Sequence, residues 1–204
     1  MVSIRAATAA DLLQIQAINT HYILNTCLTF AQNHPPSTVH KARLSDLHNR
    51  GLPYLVATEA NDNTKETVLG YTYLSPFRGH MLSYGSTVEL SLFVHPDYHS
   101  RSIGSLLLST VLECMQTPGI YHRAFEVTGD GEDQREIFAR DEGGVRVNNI
   151  VAVMAVDPEG KDGGDALRRW YIKRGFVECG RLKNVGFKRG YWLDTIYFQY
   201  TLSE

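Results

Sequence analysis

Between Val88 and Glu113 the chain runs VELSLFVHPDYHSRSIGSLLLSTVLE, and no other stretch constrains the fold as much. An apolar, partly alternating run stops at His95-Pro96, a short loop of small and polar residues follows, and an apolar helical pattern begins. A strand that feeds a helix through a tight loop belongs to a layered α/β architecture. The helix opening leaves backbone N–H groups without intrahelical partners and adds the positive end of a dipole. The loop Ser100, Arg101, Ser102, Ile103, Gly104 and Ser105 therefore suits a phosphate or diphosphate.

The flanking sequence supplies the other layers. Val2 to Arg5 reads as a strand, and Thr8-x-x-Asp11 opens a helical pattern through Leu12, Ile15, Ile18 and Tyr22 with Thr8 as N-cap. The segment from Asn33 to Thr38, with two prolines, breaks that helix, and a second spans Val39 to Asn49. Strands are expected over Tyr54 to Thr58, Thr67 to Leu74 and Thr87 to Val94, with a turn at Asn61-Asp62-Asn63. Pro118 to Arg146 is rich in charge and glycine and reads as an exposed insertion. The run VNNIVAVMAV, Val147 to Val156, has the pattern of a central strand covered on both faces. A helix over Asp165 to Arg174 stops at Gly175, and two strands, Phe176 to Leu182 and Tyr191 to Tyr200, end the chain.

Composition narrows the function classes. With 204 residues, 43% of them hydrophobic, the chain can bury one sizeable core, and no shift in composition marks a second domain, so residues 1–204 are expected to form one unit. A formal charge of -2 and no basic stripe give no support to a nucleic-acid partner. No run of about eighteen apolar residues predicts a membrane span. Three cysteines, Cys27, Cys114 and Cys179, lie far apart, which fits a reducing cytoplasm better than a disulfide framework. The eight histidines show no metal-ligand spacing, so no metal is assigned.

The order of strand, loop, helix, apolar strand and a helix ending RRWYIKRGF resembles the GNAT superfamily of acyl-CoA-dependent N-acyltransferases over nearly the whole chain. The family's diphosphate-binding loop reads Q/R-x-x-G-x-G/A, and His99-Ser100-Arg101-Ser102-Ile103-Gly104 aligns with it, strictly at Gly104 alone. A more specific resemblance lies in STVELSLFVHPDYH and in Gly180 to Gln199, GRLKNVGFKRGYWLDTIYFQ. These are similar to the phosphinothricin and methionine sulfoximine N-acetyltransferase group, whose Gly-x-Lys-x-Gly-x-Trp-x-Asp ending is met by Gly186, Lys188, Gly190, Trp192 and Asp194, followed by Phe198 and Gln199. Thr29-Phe30 resembles that group's Thr-Phe-Glu segment, with Ala31 in place of the glutamate.

The resemblance implies a mixed, mostly antiparallel seven-stranded sheet flanked by helices and split where two parallel neighbours diverge to admit the cofactor. It implies acetyl-CoA as donor, a small amino acid or analogue as amine acceptor, direct attack in a ternary complex, and a homodimer. Glu89 is then the general base, Tyr171 the acid for the departing thiolate, and Leu92, Phe93 and Val94 the backbone that pairs with the pantetheine arm. Ser100 to Ser105 hold the diphosphate, with Arg101 as charge partner, and Asp157 adds a contact although Val156 stands where the group has asparagine. Ser102 replaces a glycine, so the loop is expected to stay open only if this residue keeps negative φ. Phe30, Tyr73, Phe77, Arg78, Lys188 and Trp192 are the candidate acceptor-site residues, with Arg78 offered to a carboxylate.

Spacing by itself leaves plainer alternatives open. Glu89 also fits an exposed strand carboxylate, Trp170, Tyr171 and Phe176 an aromatic packing cluster, Arg78 a solvated loop cation, and Lys188-Arg189-Gly190 an ordinary hairpin turn. An acetyltransferase for a polyamine or peptide N-terminus, or a non-catalytic acyl-CoA-binding module, remains a rival function.

Overall fold

The computed structural model describes residues 1–60, 66–79, 81–117, 120–127, 134–137 and 144–202. Strand β1 (Val2–Ala6) leads into a 3-10 turn and helix α1 (Leu12–Asn25). At that entry the Asp11 carboxylate accepts from the Thr8 N–H at 2.8 Å and pairs with Arg5 at 2.8 Å, closing a capping box. Helix α2 (Ser37–Arg50) begins after Pro35-Pro36 and ends at Gly51, whose φ of 72° is the left-handed cap that glycine adopts without strain. Strands β2 (Tyr54–Ala60), β3 (Glu66–Pro76) and β4 (Thr87–Val94) follow, then helix α3 (Ile103–Gln116). Strands β5 (Ala124–Val127), β6 (Gln134–Ile137) and β7 (Asn149–Ala155), helix α4 (Asp165–Ile172) and strands β8 (Val177–Lys188) and β9 (Tyr191–Thr201) complete the chain.

Seven strands form one sheet in the order β1-β2-β3-β4-β7-β9-β8, and the β4–β7 pair is parallel while its other pairs are antiparallel. The expected sheet and its parallel pair are therefore present. Helices α1 and α2 cover one face, where Tyr22 of α1 meets the Phe93 ring at 5.1 Å. Helices α3 and α4 cover the other, where Arg174, just past α4, donates to Ser105 Oγ on α3. The core lies between these layers and includes Ile15, Ile18, Val56, Leu69, Leu74, Val88, Leu107, Ile150 and Phe198. No helix among the described residues is long and apolar enough to cross a membrane.

Two sequence expectations need adjustment. The Asn61-Asp62-Asn63 turn lies outside the described residues, as do 118–119, 128–133 and 138–143 of the proposed insertion. The described ends of that insertion are partly docked, with Ile120, Arg123 and Arg146 exposed and residues between them buried. His122 and Val145 are buried and bridge each other, and the Arg123 N–H donates to the Arg50 carbonyl at 2.8 Å. The Arg50 guanidinium also lies 3.7 Å from the centre of the Phe125 ring. These apolar and cationic anchors sit at the borders of the polar run, where average composition hides them.

Candidate active site

Strands β4 and β7 pair from Thr87↔Asn149 to Leu90↔Ala152 and then separate. Beyond that point β4 stays bonded to β3 as far as Val94↔Gly70, and β7 stays bonded to β9 as far as Ala155↔Thr195. The divergence opens a cleft of about 800 Å³ through the sheet. Its walls include Glu89 to Val94, Ser102 to Ser105, Val153 to Ala155, Asp157, Trp170, Tyr171 and the loop Leu28-Thr29-Phe30.

The phase of β4 decides what it offers to the cleft. The His95 N–H donates to the Leu69 carbonyl on β3 at 2.8 Å. Backbone groups alternate sides along a strand, so those of Leu92 and Val94 point toward the gap that β7 has left. The Val94 carbonyl accepts from the Tyr22 hydroxyl at 2.8 Å, whereas the N–H groups remain for an extended ligand strand. Side chains alternate as well. Leu92 and Val94 lie toward α3, within 3.7 Å and 3.5 Å of a Cβ built on Gly104, while Phe93 faces α1. Glu89 and Ser91 share the face of Phe93.

Glu89 is half-buried beside the last paired positions of the two strands, and burial pushes its carboxyl above the usual glutamate range. The aromatic group around Tyr171 is genuine packing: its ring stacks on Phe198 at 5.2 Å and meets Trp170 and Phe176 edge-on at 5.1 and 5.3 Å. The same residue nonetheless lines the cleft, and burial pushes its hydroxyl up to about 12. Packing and exposure to the cleft therefore coexist in one side chain.

The loop before α3 differs from expectation. Ser102 has φ 60° and ψ 12°, and Ser100 has φ 63°, so the negative φ at Ser102 on which an open cradle was made to depend is not met. Positive φ at Ser100 and Ser102, on either side of Arg101, turns successive N–H groups toward one side, which makes an anion-binding concavity before α3. Two side-chain ties hold the strained loop. Arg101 turns out of the cleft lining to pair with Glu59 at 2.9 Å, and its guanidinium lies 5.4 Å from the Tyr98 ring centre. On the other side His99 Nε2 is 3.0 Å from the Tyr22 oxygen. Because the single Tyr22 proton goes to Val94, His99 is the donor.

Asp157 is buried at the cleft edge, with its side chain capped by the Glu159 N–H at 3.0 Å. Among the candidate acceptor residues, Phe30 lines the cleft and five others do not. Tyr73 is buried against Tyr54 and Tyr71, with Arg43 5.0 Å from its ring centre. Phe77 packs edge-on against Tyr84, next to Arg78, which has φ 56° in the exposed turn after β3. Lys188 is 4% exposed and donates to the Thr29 carbonyl at 2.6 Å, while Trp192 is 66% exposed and rests on Phe187. Sequence reasoning missed Tyr22, Leu28, Val153, Leu167 and Trp170 as cleft residues. All five read locally as core positions, and only the strand divergence turns them into a wall.

The cleft fits a nucleotide thioester on two observations of its own: strand N–H groups of Leu92 and Val94 that face the gap left by β7, and a positive-φ cradle at a helix opening. Comparisons with known proteins agree. The model of the acetyltransferase (GNAT) family matches residues 18–143. The chain is 30% identical over 201 residues to a phosphinothricin N-acetyltransferase of Alcaligenes faecalis, covering 98% of this chain and 83% of that protein. It is 27% identical to an L-methionine sulfoximine/L-methionine sulfone acetyltransferase of Pseudomonas aeruginosa, covering 98% and 94%. The crystal structure of a phosphinothricin acetyltransferase from Sinorhizobium meliloti in complex with AcCoA superposes with a TM-score of 0.72 at 28% identity, covering 100% of this chain and 89% of that one.

Proposed function

This chain belongs to the acetyltransferase (GNAT) family and is an N-acetyltransferase, and on that premise we propose that it moves acetyl from acetyl-CoA directly to the amine of a small amino acid or analogue. The observation that carries this reading is the divergence of β4 from β7 beyond Leu90, one residue past Glu89. It puts a carboxylate at the point where a ligand threaded through the sheet would meet an acceptor arriving from the α1/α2 face.

Acetyl-CoA, when bound, supplies an activated acyl carbon and a thiolate leaving group. The chain's own residues do the rest. Glu89, with its raised pKa, takes a proton from the incoming ammonium, so that the amine attacks in its neutral form. The inward N–H groups of Leu92 and Val94 hold the pantetheine, and one of them stabilises the charge that develops on the thioester oxygen. Ser100, Ser102, Ile103, Gly104 and Ser105 cradle the diphosphate, and Asp157 shapes the opposite edge. Tyr171 stays protonated across the working range and donates to the departing sulfur. Phe30 and its loop form the acceptor wall.

We assign the protein a homodimeric state through the β8–β9 hairpin. Val185, Phe187 and Trp192 are 52%, 53% and 66% exposed there, an apolar patch of the kind that marks self-association. A cytoplasmic setting accords with the free thiols of Cys27, Cys114 and Cys179.

Thiol release from acetyl-CoA with a panel of amino acids, methionine sulfoximine, phosphinothricin, a polyamine and a peptide tests the function. Turnover is expected with the amino-acid-type amines, with initial-velocity lines that intersect. Parallel lines would contradict direct transfer, and turnover confined to the polyamine or peptide would move the acceptor class.

A further inference from the structure

The C-terminal motif has a physical content that acceptor contact does not explain. Gly190, at φ 85°, closes the β8–β9 turn. Asp194 accepts from the Asn184 N–H at 2.9 Å and pairs with Arg181 and Lys183, which fixes the irregular middle of β8. Of the remaining members, Trp192 rests on Phe187, and Gly186 and Lys188 face the loop that joins α1 to α2. A Cβ on Gly186 would lie 2.1 Å from Phe30 Cε1, so the Phe30 ring occupies space that only glycine leaves. Lys188 sends its buried ammonium to the Thr29 carbonyl at 2.6 Å.

Further bonds tie the same two segments. Gln32 Nε2 donates to the Phe187 carbonyl at 3.3 Å, and Arg189 donates to the Leu24 carbonyl at 3.4 Å. The hairpin tip also holds the opposite edge of the cleft: the Tyr191 hydroxyl donates to Glu159 at 3.2 Å, and Arg189 lies 3.6 Å from that carboxylate. Glu159 in turn is bonded to Asp157, a cleft residue. Both loops that flank one end of the cleft are thus anchored to the hairpin tip through Lys188, Arg189 and Tyr191.

We propose that this hairpin tip is a latch that sets the width of the acceptor pocket, with Lys188 as a positioning residue that acts through Thr29 and Phe30 rather than by touching substrate. The inference rests on the acetyl-transfer reading given above. Its physical basis is that an ammonium removed from water must keep its partner, so the Thr29 carbonyl, and with it the Leu28–Phe30 wall, has little freedom to move. Glu89 and that wall serve the same face of the sheet, whereas the diphosphate loop, α3 and α4 serve the other. The Lys188 arm of the latch therefore bears on the amine, while its Arg189 and Tyr191 arm reaches the Asp157 edge through Glu159. Because the wall presents Leu28 and Phe30, it discriminates among acceptors by the bulk of the side chain beside the amine.

The test is steady-state kinetics of the full chain with alanine, methionine and phenylalanine as acceptors, alongside calorimetric titration of acetyl-CoA. Lys188→Met keeps the length of the side chain and removes the ammonium. It is expected to raise the amine KM about tenfold or more and to flatten the differences among the three acceptors, with the acetyl-CoA Kd unchanged. Gly186→Ala, which leaves the ammonium in place and displaces Phe30, is expected to give the same pattern and serves where the lysine variant folds poorly. An unchanged amine KM in both variants, or equal losses in amine KM and acetyl-CoA Kd, would overturn the latch while leaving the transferase reading intact. Where the wild-type protein is silent on all three, methionine sulfoximine and phosphinothricin take their place, and silence on these as well would overturn both.

Discussion

The two halves of the cleft are built by different means. The cofactor half is made of main chain: strand β4 with inward N–H groups, and a loop whose φ signs aim amides at an anion. The acceptor half is made of a loop held by side chains that come from more than 150 residues away in sequence, Lys188 to Thr29 above all. Main-chain machinery tolerates side-chain change, since Ser100 and Ser102 take conformations that glycine would enter freely. Side-chain machinery is specific and brittle, because its main tether, the Lys188 ammonium, is bonded to the Thr29 carbonyl alone among the described residues.

Tyr171→Phe probes the main-chain half at its most reactive point. It keeps the stack on Phe198, and kcat is expected to fall about 10²-fold with acetyl-CoA affinity unchanged; an unaltered kcat would move the acid elsewhere. Gly104→Phe attacks the same half by volume. A Cβ at this position already meets Val94 and Leu92 at ordinary contact distance, so a benzyl group must enter the cleft. An acetyl-CoA Kd raised about tenfold or more, roughly 1.4 kcal/mol, is expected by calorimetry, and a Kd within twofold of wild type would displace the ligand path.

Ser102→Gly should sharpen the contrast. It removes a left-handed serine, and thermal unfolding is expected to show a stabilisation of about 1 kcal/mol with acetyl-CoA binding retained. A loss of binding would show that the serine hydroxyl, not the backbone, makes the contact. Glu59→Gln should have the smallest effect, because Arg101 and Glu59 form an exposed pair screened by water. No resolvable change in Tm is expected, with at most a slight weakening of acetyl-CoA binding. Tighter binding would mean that the freed Arg101 reaches the diphosphate, as the sequence had suggested.

Much of the fold was legible in the chain. Alternation marked β4 and β9, Thr8 and Asp11 marked the start of α1, and the apolar run before Asp157 marked the strand that lies beside β4. The small-residue loop was legible because helix-opening chemistry is local, whereas Glu89 was singled out by the family resemblance, since its spacing fits an exposed strand carboxylate equally well. Lys188 was legible as part of a motif but not in its role, since its partner lies on the loop after α1. Arg101 was misplaced because nothing near it in sequence announces Glu59, on β2, and Ser102 because the sign of φ follows from the turn geometry rather than from residue type. Tyr73, Phe77 and Arg78 stand close to the reactive strand in sequence, yet aromatic packing and a turn carry them away from the cleft lining.

The pH dependence of Glu89→Gln bears most directly on the central claim, that a burial-raised carboxylate at the divergence of β4 and β7 removes the amine proton. In the wild type, kcat/KM should fall as pH drops through a value above the ordinary glutamate range of about 4.5. In the glutamine variant that limb should vanish, with kcat/KM at neutral pH lower by about 10² to 10⁴. The stability sign is the converse: the folded pKa lies above the unfolded one, so the native state loses stability as pH rises through that interval. Tm at neutral pH should then rise on substitution by glutamine. A variant that keeps both the wild-type rate and the acid limb would contradict the account.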